Sequence, residues 1–346
     1  MKSSFLIGNR LVSDSTPTLI IAEIGINHNG SLDRAIAIAD SAIKAGAEVI
    51  KHQTHIPDEE MSVEARNIKP GNSNKNIYEI IKKCSLNESD EKKLFDYIKK
   101  KKRIIISTPF SKKAVDRLVR FNVPAFKIGS GECNNYDLIN YICKFKKPII
   151  LSTGMNDISS IKKSVNIIKK KKVPLALLHC INLYPAPAEF LRLNSILDMK
   201  IFFKGLVIGY SDHSEGIHSA IAAITLGAKI LEKHYVDTKF VKGPDISCSM
   251  DRHDLQKLIA ASKDIFVALN NKYNSLTEQS VTMNFAFASL VAKYDIKAGE
   301  KISKNNTCFK RPGTGSFNNQ NCKSAYGRIS KKFIRSNTQI LNTYLK

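Results

Sequence analysis

Hydrophobic and polar residues along this chain alternate in blocks: an apolar, β-branched run ends at a polar residue, and a stretch with helical spacing follows. Short apolar runs are typical of buried strands, and apolar residues three and four positions apart are typical of amphipathic helices. The eight runs end at Glu23, Lys51, Thr108, Lys127, Ser152, Asn182, His213 and His234.

This alternation predicts an α/β fold. The predicted strands cover residues 18–23, 48–52, 103–107, 125–129, 148–152, 175–179, 207–210 and 230–234. The predicted helices cover residues 31–45, 89–100, 112–121, 136–143, 157–170, 217–226 and 251–269. Short connections between alternating strands and helices favour parallel strands, and eight units of this size are typical of a (β/α)8 TIM barrel. A doubly wound sheet is the competing fold, but residues 25–30 (GINHNG) do not supply its Gly-x-Gly-x-x-Gly loop.

The pattern changes after residue 269. Residues 270–283 are polar and predict a linker, and residues 284–346 contain short apolar pieces separated by turn residues. We therefore expect a TIM barrel over residues 1–269 and a small β-rich domain over residues 284–346. A domain of this size is expected to gain part of its stability from another surface.

The composition is that of an ordinary globular protein, with 43% hydrophobic and 25% charged residues. No apolar stretch approaches the roughly 20 residues that cross a bilayer, and residues 1–10 lack the features of a secretory signal. The seven cysteines are odd in number and form no Cys-x-x-Cys pair. This pattern favours reduced thiols, so we expect a cytoplasmic protein without a membrane partner.

The net charge of +23 raises the question of nucleic-acid binding. The lysine clusters at residues 99–103, 144–147 and 169–172 each end a predicted helix and precede a predicted strand, where positive charge complements the helix dipole. Aromatic residues are not interleaved with them as a stacking surface would require. The pattern favours a solvated basic face without a nucleic-acid partner.

Two histidines lie at the ends of the last two predicted strands. Neighbouring strands of a barrel would bring His213 and His234 within reach of one ion. Two imidazoles leave coordination positions open, which suits an octahedral Mn²⁺ or Mg²⁺ that polarises a carbonyl. The alternative is that both are hydrogen-bonded structural groups.

Two lysines are expected to point into the mouth of the barrel. Lys51 and Lys127 each follow apolar residues, and an unpaired ammonium there would be costly, so an anionic ligand such as a phosphate or carboxylate is expected to balance them. Polar groups that could complete an anion cage are Gln53, Thr108, Ser130, Ser152, Asn182 and Ser211. Serine and threonine also commonly cap helices at such sites, which is the competing interpretation.

Carboxylates and one arginine complete the candidates. Glu23, Glu132 and Glu232 either tie down loops, transfer protons or support a metal ligand. Arg311 lies in a Pro-Gly turn, which is either a plain surface turn or a clamp for an amide oxygen, phosphate or carboxylate.

Ten motifs, spread over nearly the whole chain, carry a family resemblance. They are residues 21–30 (IAEIGINHNG), 51–55 (KHQTH), 107–110 (STPF), 127–135 (KIGSGECNN), 151–155 (LSTGM), 182–185 (NLYP), 211–213 (SDH), 243–245 (GPD), 285–289 (FAFAS) and 310–313 (KRPG). Together they resemble bacterial sialic acid synthases, the N-acetylneuraminate synthase family. The resemblance implies a TIM barrel, a C-terminal antifreeze-like (SAF) domain and a domain-swapped homodimer in which that domain covers the other subunit's barrel mouth.

The resemblance also implies a reaction, in which phosphoenolpyruvate condenses with open-chain N-acetylmannosamine and phosphate leaves by C–O cleavage. His213 and His234 would hold a divalent metal, Mn²⁺ first, with Mg²⁺ or Co²⁺ as alternatives, that polarises the sugar aldehyde. Phosphoenolpyruvate would contact Lys51, Thr108, Lys127, Ser130, Ser152, Asn182 and Ser211. The sugar would contact Glu23, Gln53, Tyr184 and Asp245, and its N-acetyl group would contact Arg311 of the partner subunit. Glu132 would handle a proton or orient the attacking water.

Ile181, residues 214–217 and Cys308 depart from the family pattern, and none of them carries an assigned role. The nearest alternative is a legionaminic or pseudaminic acid synthase acting on a diacetamido-trideoxy hexose, although residues 51–55 are more similar to the N-acetylneuraminate branch. An alternative from another class is a non-catalytic protein that binds sugar or nucleic acid on the same fold.

Overall fold

The computed structural model describes residues 4–70, 74–241, 243–271 and 275–346. The chain divides into two compact units, one ending at Asn270 and the other beginning at Asn271. In chain order the strands are β1 (Phe5–Ile7), β2 (Arg10–Val12), β3 (Leu19–Gly25), β4 (Val49–Thr54), β5 (Ile104–Pro109), β6 (Phe126–Ile128), β7 (Ile149–Ser152), β8 (Leu175–Cys180), β9 (Val207–Asp212), β10 (Ile230–His234), β11 (Ser289–Ala292) and β12 (Thr307–Lys310).

Strands β3 to β10 form a closed parallel barrel, in which β10 pairs with both β9 and β3. Each of the eight predicted strands overlaps one of these, so the predicted (β/α)8 barrel is confirmed. Successive residues of a strand face opposite sides of the sheet. The polar residues at the strand ends therefore alternate between the inside of the barrel and the helical layer around it.

The first unit also contains helices, most of which bury apolar residues. They are α1 (Leu32–Lys44), α2 (Pro57–Glu60), α3 (Ile77–Cys84), α4 (Glu88–Lys100), α5 (Lys112–Arg120), α6 (Tyr136–Cys143), α7 (Ile158–Lys170), α8 (Ser195–Phe202), α9 (His218–Thr225) and α10 (Arg252–Asn270). Side-chain caps fix where several of them begin: Ser31, for example, accepts a hydrogen bond from the Arg34 backbone N–H. All seven predicted helices are present, whereas α2, α3 and α8 were not predicted.

A two-stranded hairpin, also not predicted, packs at the amino-terminal end of the barrel. Strands β1 and β2 pair antiparallel, and Ile7 and Val12 are buried with Leu19, Val207 and other inward-facing residues of the barrel strands. Full burial of such an aliphatic side chain contributes about 1.5–3 kcal/mol. The interior of the barrel at this end is therefore filled with apolar side chains.

Lysines at the same end of the barrel bind the carbonyls of neighbouring helix ends. The last carbonyls of a helix have no partner within the helix, so a lysine that reaches them satisfies them. The bonds run from Lys99 to Phe121, from Lys146 to Lys171 (2.6 Å), from Lys147 to Val123 (2.5 Å) and from Lys200 to Leu226 (2.8 Å). The basic clusters therefore have a structural use in joining one helix end to the next.

The second unit has a small core of its own, which includes Leu290, Ile296, Ile302 and Ile340. Strands β11 and β12 pair antiparallel. The segment predicted as a linker differs, because it contains the helix α11 (Ser275–Glu278) and most of the helix α12 (Ser280–Ala286). Across the described residues, no helix has the length and apolar character needed to cross a bilayer.

Candidate active site

A cavity of about 270 Å³ lies at the carboxyl ends of the barrel strands. Its lining includes twelve of the predicted site residues: Lys51, Gln53, Thr108, Lys127, Ser130, Ser152, Asn182, Tyr184, Ser211, His213, His234 and Asp245. They come from six barrel strands and from loops at the same end of the barrel. The alternation along each strand explains the clustering, since Lys51 and Gln53, or Ser211 and His213, are two positions apart and face the same way.

The two lysines lie among carboxylates. Lys51 forms an ion pair with Glu23, and its Nζ lies 3.6 Å from Oε1 of Glu232. Nζ of Lys127 lies 3.8 Å from the same Glu232 oxygen and donates to Ser152 Oγ at 2.7 Å. Two buried carboxylates therefore face the lysines, and the expected anionic ligand stays a prediction.

Burial and charge together set the protonation of this group. Burial raises the pKa of Glu23 to about 7, against the opposing effect of Lys51 and with a further rise from Glu232. Burial lowers the pKa of Lys127, although Glu232 opposes the change. The pKa of Lys51 is raised, because Glu23 and Glu232 outweigh the effect of burial. Glu23 can thus exchange a proton near neutral pH while Lys51 stays charged.

Small donors and acceptors surround the lysines. Lys51 Nζ donates to Thr108 Oγ1 at 3.2 Å, and Ser130 Oγ accepts from the backbone N–H of Gly154 at 3.1 Å. The buried Oδ1 of Asn182 has no hydrogen-bond partner among the described residues. A Cβ at Gly154 would lie 2.0 Å from that oxygen, so only glycine allows the backbone to approach Asn182 this closely.

The two histidines are neighbours, with ring centroids 5.4 Å apart. His213 Nδ1 lies 2.8 Å from the Ile181 carbonyl oxygen, to which it can donate, and this leaves Nε2 with a free lone pair. Burial lowers the pKa of His234 well below its usual value. The Tyr184 ring stacks on His213 with centroids 4.2 Å apart.

These groups fit part of a metal site. His234 is buried, its Nδ1 has no hydrogen-bond partner among the described residues, and that atom lies 3.5 Å from Oδ2 of Asp245. A neutral imidazole is the form that binds metals. No cluster of three or more metal-ligating side chains is found in the described ranges. The protein would therefore supply two nitrogen ligands and leave the other positions to water or substrate.

Three predicted residues stand apart from the cavity lining. Glu23 lies behind it as the partner of Lys51. Glu132 accepts from Asn135 Nδ2 at 2.6 Å and is half-buried, and burial raises its pKa while Asn135 opposes the change. Arg311 belongs to the second unit and is exposed there. The roles assigned to all three remain predictions.

The sequence pattern did not single out every residue at the cavity. Cys180 and His55 both line it. Cys180 lies two positions before Asn182, and His55 lies two positions after Gln53. Strand alternation was thus the signal that could have identified them.

Comparisons with known proteins agree with this architecture. Residues 38–274 match the NeuB family model, and residues 287–345 match the SAF domain model. The chain is 37% identical to the N,N'-diacetyllegionaminic acid synthase of Campylobacter jejuni, covering 86% of this chain and 91% of that protein. It is 35% identical to a pseudaminic acid synthase of the same species, covering 86% and 88%. The crystal structure of the N-acetylneuraminic acid synthetase of Leptospira borgpetersenii, in complex with citrate, aligns with a TM-score of 0.73 at 31% identity, over 82% of this chain and 97% of that one.

Proposed function

We propose that this chain, which belongs to the NeuB family and carries a SAF domain, condenses phosphoenolpyruvate with the open-chain form of N-acetylmannosamine to give N-acetylneuraminate and phosphate. The observation that carries the proposal is the single cavity that combines two buried lysines, small polar donors and a histidine pair. The similarity to sugar acid synthases supports the same class of reaction.

The lysine side of the cavity suits phosphoenolpyruvate. This substrate brings about three negative charges, and cations aimed at it are strongly effective in a cavity that excludes water. Lys51 and Lys127 would bind its phosphate and carboxylate, with Thr108, Ser152 and Asn182 as further partners. The proton-accepting Glu23 completes the arrangement: when it is protonated, Lys51 is released from its ion pair and can balance the incoming anion.

The histidine side suits the sugar. Gln53, Tyr184 and Asp245 line this part of the cavity and offer hydrogen bonds to hydroxyl groups. Burial raises the pKa of Asp245 to about 6, while His213 and Lys51 oppose the rise. His213 and His234 would hold a divalent metal, which we propose to be Mn²⁺, and that ion would supply polarisation of the aldehyde oxygen.

Bond formation needs the two substrates aligned in one cavity. C3 of phosphoenolpyruvate forms the new bond to the sugar aldehyde carbon, which leaves C2 electron-poor. Water adds at C2, with Glu132 as the proposed group that orients it or takes its proton. The C2–O bond to phosphate then breaks, phosphate leaves with the bridging oxygen, and a ketone remains at C2.

The second unit contributes through a partner chain in this proposal. Val281, Phe285 and Phe287 are more than half exposed and lie in or beside α12. Exposed apolar side chains clustered in one segment are typical of an interaction site. A domain-swapped homodimer would cover them and would bring Arg311 of the partner subunit to the N-acetyl group of the sugar.

A second candidate substrate is the diacetamido-trideoxy hexose of legionaminic or pseudaminic acid synthesis. The observation that favours it is the 37% and 35% identity to synthases with those names. The experiment is incubation of the protein with phosphoenolpyruvate, Mn²⁺ and each sugar in turn, with the product identified by mass. We expect the nine-carbon acid from N-acetylmannosamine to form faster; faster product from a diacetamido sugar would replace our first choice.

The same experiment tests the non-catalytic alternative. A protein that only binds sugar or nucleic acid would release no phosphate with either sugar. Binding to nucleic acid would also weaken steeply with salt.

A further inference from the structure

A chain of polar side chains leads from the turn after β4 into the cavity, and the proposed reaction uses only its inner end. His55 follows β4 directly, is buried and lines the cavity. Its Nδ1 lies 2.9 Å from Oε1 of Glu60, and its Nε2 lies 3.0 Å from Oε1 of Gln53. The Nε2 of Gln53 lies 3.3 Å from Oε1 of Glu23. Four side chains are thus connected in sequence.

Donor and acceptor chemistry fixes the direction of this chain. A carboxylate oxygen and an amide oxygen both accept hydrogen bonds, so the His55 ring must donate to Gln53 through Nε2–H. The other ring nitrogen, Nδ1, forms the contact with Glu60. The amide of Gln53 is then held with its oxygen toward His55 and its NH₂ group toward Glu23.

Packing holds the ring in place. The imidazole of His55 stacks on Phe110, with ring centroids 4.2 Å apart and planes 9° apart. The Glu60 side chain is only 4% exposed, and its Oε2 has no hydrogen-bond partner among the described residues. Burying a carboxylate is costly unless a partner compensates it. In the described part of the chain, the partner that compensates Glu60 is His55.

We infer that His55 is a positioning residue for the sugar side of the cavity, because it holds the Gln53 amide in one of its two orientations, and that Glu60 holds His55 in turn. The inference rests on the proposed function. An amide that is free to turn would present either its oxygen or its NH₂ group to a sugar hydroxyl, so part of the population would oppose binding. Replacing His55 should lower the affinity for the sugar, because Gln53, which His55 orients, is the proposed contact to the sugar.

Three variants separate the donor role of His55 from its packing. The variant His55→Phe keeps a ring against Phe110 but removes both ring nitrogens. The variant His55→Gln restores one donor without the aromatic ring. In the variant Glu60→Gln, the new amide can donate to Nδ1, which leaves Nε2–H for Gln53. Phosphate release gives kcat and the KM of each substrate, and thermal melts check folding.

We expect His55→Phe to raise the sugar KM roughly tenfold or more, the usual effect of losing an oriented hydrogen bond in a buried site. The KM of phosphoenolpyruvate should change less than about threefold, and His55→Gln should recover most of the sugar affinity. Glu60→Gln should stay within about threefold of the wild type. Equal losses in His55→Phe and His55→Gln, or a parallel rise in both KM values, would overturn the inference.

A measurement of sugar binding tests the role of His55 independently of the proposed reaction. Calorimetric titration of N-acetylmannosamine or the diacetamido sugar into each variant, with phosphoenolpyruvate and Mn²⁺ present under non-turnover conditions such as low temperature, reports sugar affinity without phosphate release. A wild type that binds sugar but releases no phosphate contradicts the proposed function, while the order of the variants still tests His55. A wild type that binds neither sugar overturns both. If His55→Phe does not fold, a sugar KM of Glu60→Gln raised above that of His55→Gln overturns the inference.

Discussion

Lysines serve the two ends of the barrel in different ways. At the carboxyl ends of the strands, Lys51 and Lys127 are buried among Glu23 and Glu232 around a polar cavity. At the opposite end, lysines such as Lys147 lie near the surface and donate to the backbone carbonyls of a neighbouring helix end. The residue type is the same, but its partners differ.

The partners explain what each group of lysines can do. Lysines bound to helix-end carbonyls stabilise the fold and have neutral acceptors, so nothing about them selects an anionic ligand. The carboxylates around Lys51 raise its pKa and keep it charged in the cavity. That charge would become available to a ligand when Glu23 takes up a proton. A net charge of +23 is therefore poor evidence of function until the position of each cation is known.

The largest expected loss of activity follows replacement of Lys127, one of the two lysines at the mouth of the barrel. The variant Lys127→Met should lower kcat/KM for phosphoenolpyruvate by roughly 10² to 10⁴, because removing one charge of a buried pair typically costs several kcal/mol of binding. Stability should change little, because Glu232 keeps its contact with Lys51. Phosphate-release kinetics and thermal melts measure the two effects. Lys147→Met, at the other end of the barrel, is the matched control. An equal loss of activity in this variant would show that the lysines at the two ends do not differ in function.

The next largest loss of activity is expected when His213 and His234 are both replaced. The double variant His213→Ala with His234→Ala should lose activity by roughly 10² or more and should no longer respond to added Mn²⁺, because both proposed nitrogen ligands are gone. Chelation of the wild type followed by return of Mn²⁺ should abolish and then restore phosphate release. Full activity of the double variant would reject the metal assignment.

The pH dependence of phosphoenolpyruvate binding tests whether Glu23 takes up a proton at the mouth of the barrel. The raised pKa of Glu23, about 7, would rise further beside a bound anion, so phosphoenolpyruvate binding should take up a proton. In this proposal, phosphoenolpyruvate binds to the protein when Glu23 is protonated. The affinity for phosphoenolpyruvate should therefore be highest below pH 7 and should fall above it by at most about tenfold per pH unit. Calorimetry between about pH 7.5 and 9, where the ligand phosphate is fully ionised, measures this. Glu23→Gln should remove the dependence; a dependence that persists would assign it to another group.

The smallest effect is expected at the opposite end of the barrel. Lys147→Met removes the bond to the Val123 carbonyl and should lower the free energy of unfolding by about 1 kcal/mol. The melting temperature should fall by roughly 2–4 °C, while the KM of phosphoenolpyruvate stays unchanged. A raised KM would show that these lysines reach the substrate.

The sequence predicted the barrel well because its strands are continuous apolar runs that end in polar residues. The same pattern placed twelve site residues around one cavity, since strand ends converge in a closed barrel. It missed β1 and β2, which are only three residues long. It also missed α8, whose apolar residues lie on several sides of the helix rather than on one face.

The ion pairs of the mouth could not be predicted from spacing alone. Lys51 and Glu23 lie on adjacent strands, but Lys127 and Glu232 face each other across the barrel. Their contact depends on the diameter of the barrel and on side-chain conformation, which periodicity does not encode. The chain from Glu60 to Gln53 was missed for the same reason, because it depends on how the loop after β4 folds back.

In the proposed reaction, phosphoenolpyruvate is joined to a sugar at the mouth of the barrel with cleavage of its C–O bond. The most direct measurement uses phosphoenolpyruvate labelled with oxygen-18 at the bridging position, incubated with the protein, Mn²⁺ and N-acetylmannosamine. We predict that phosphate is released only when both substrates are present and that it carries the label. Unlabelled phosphate, or phosphate release without the sugar, would contradict the account.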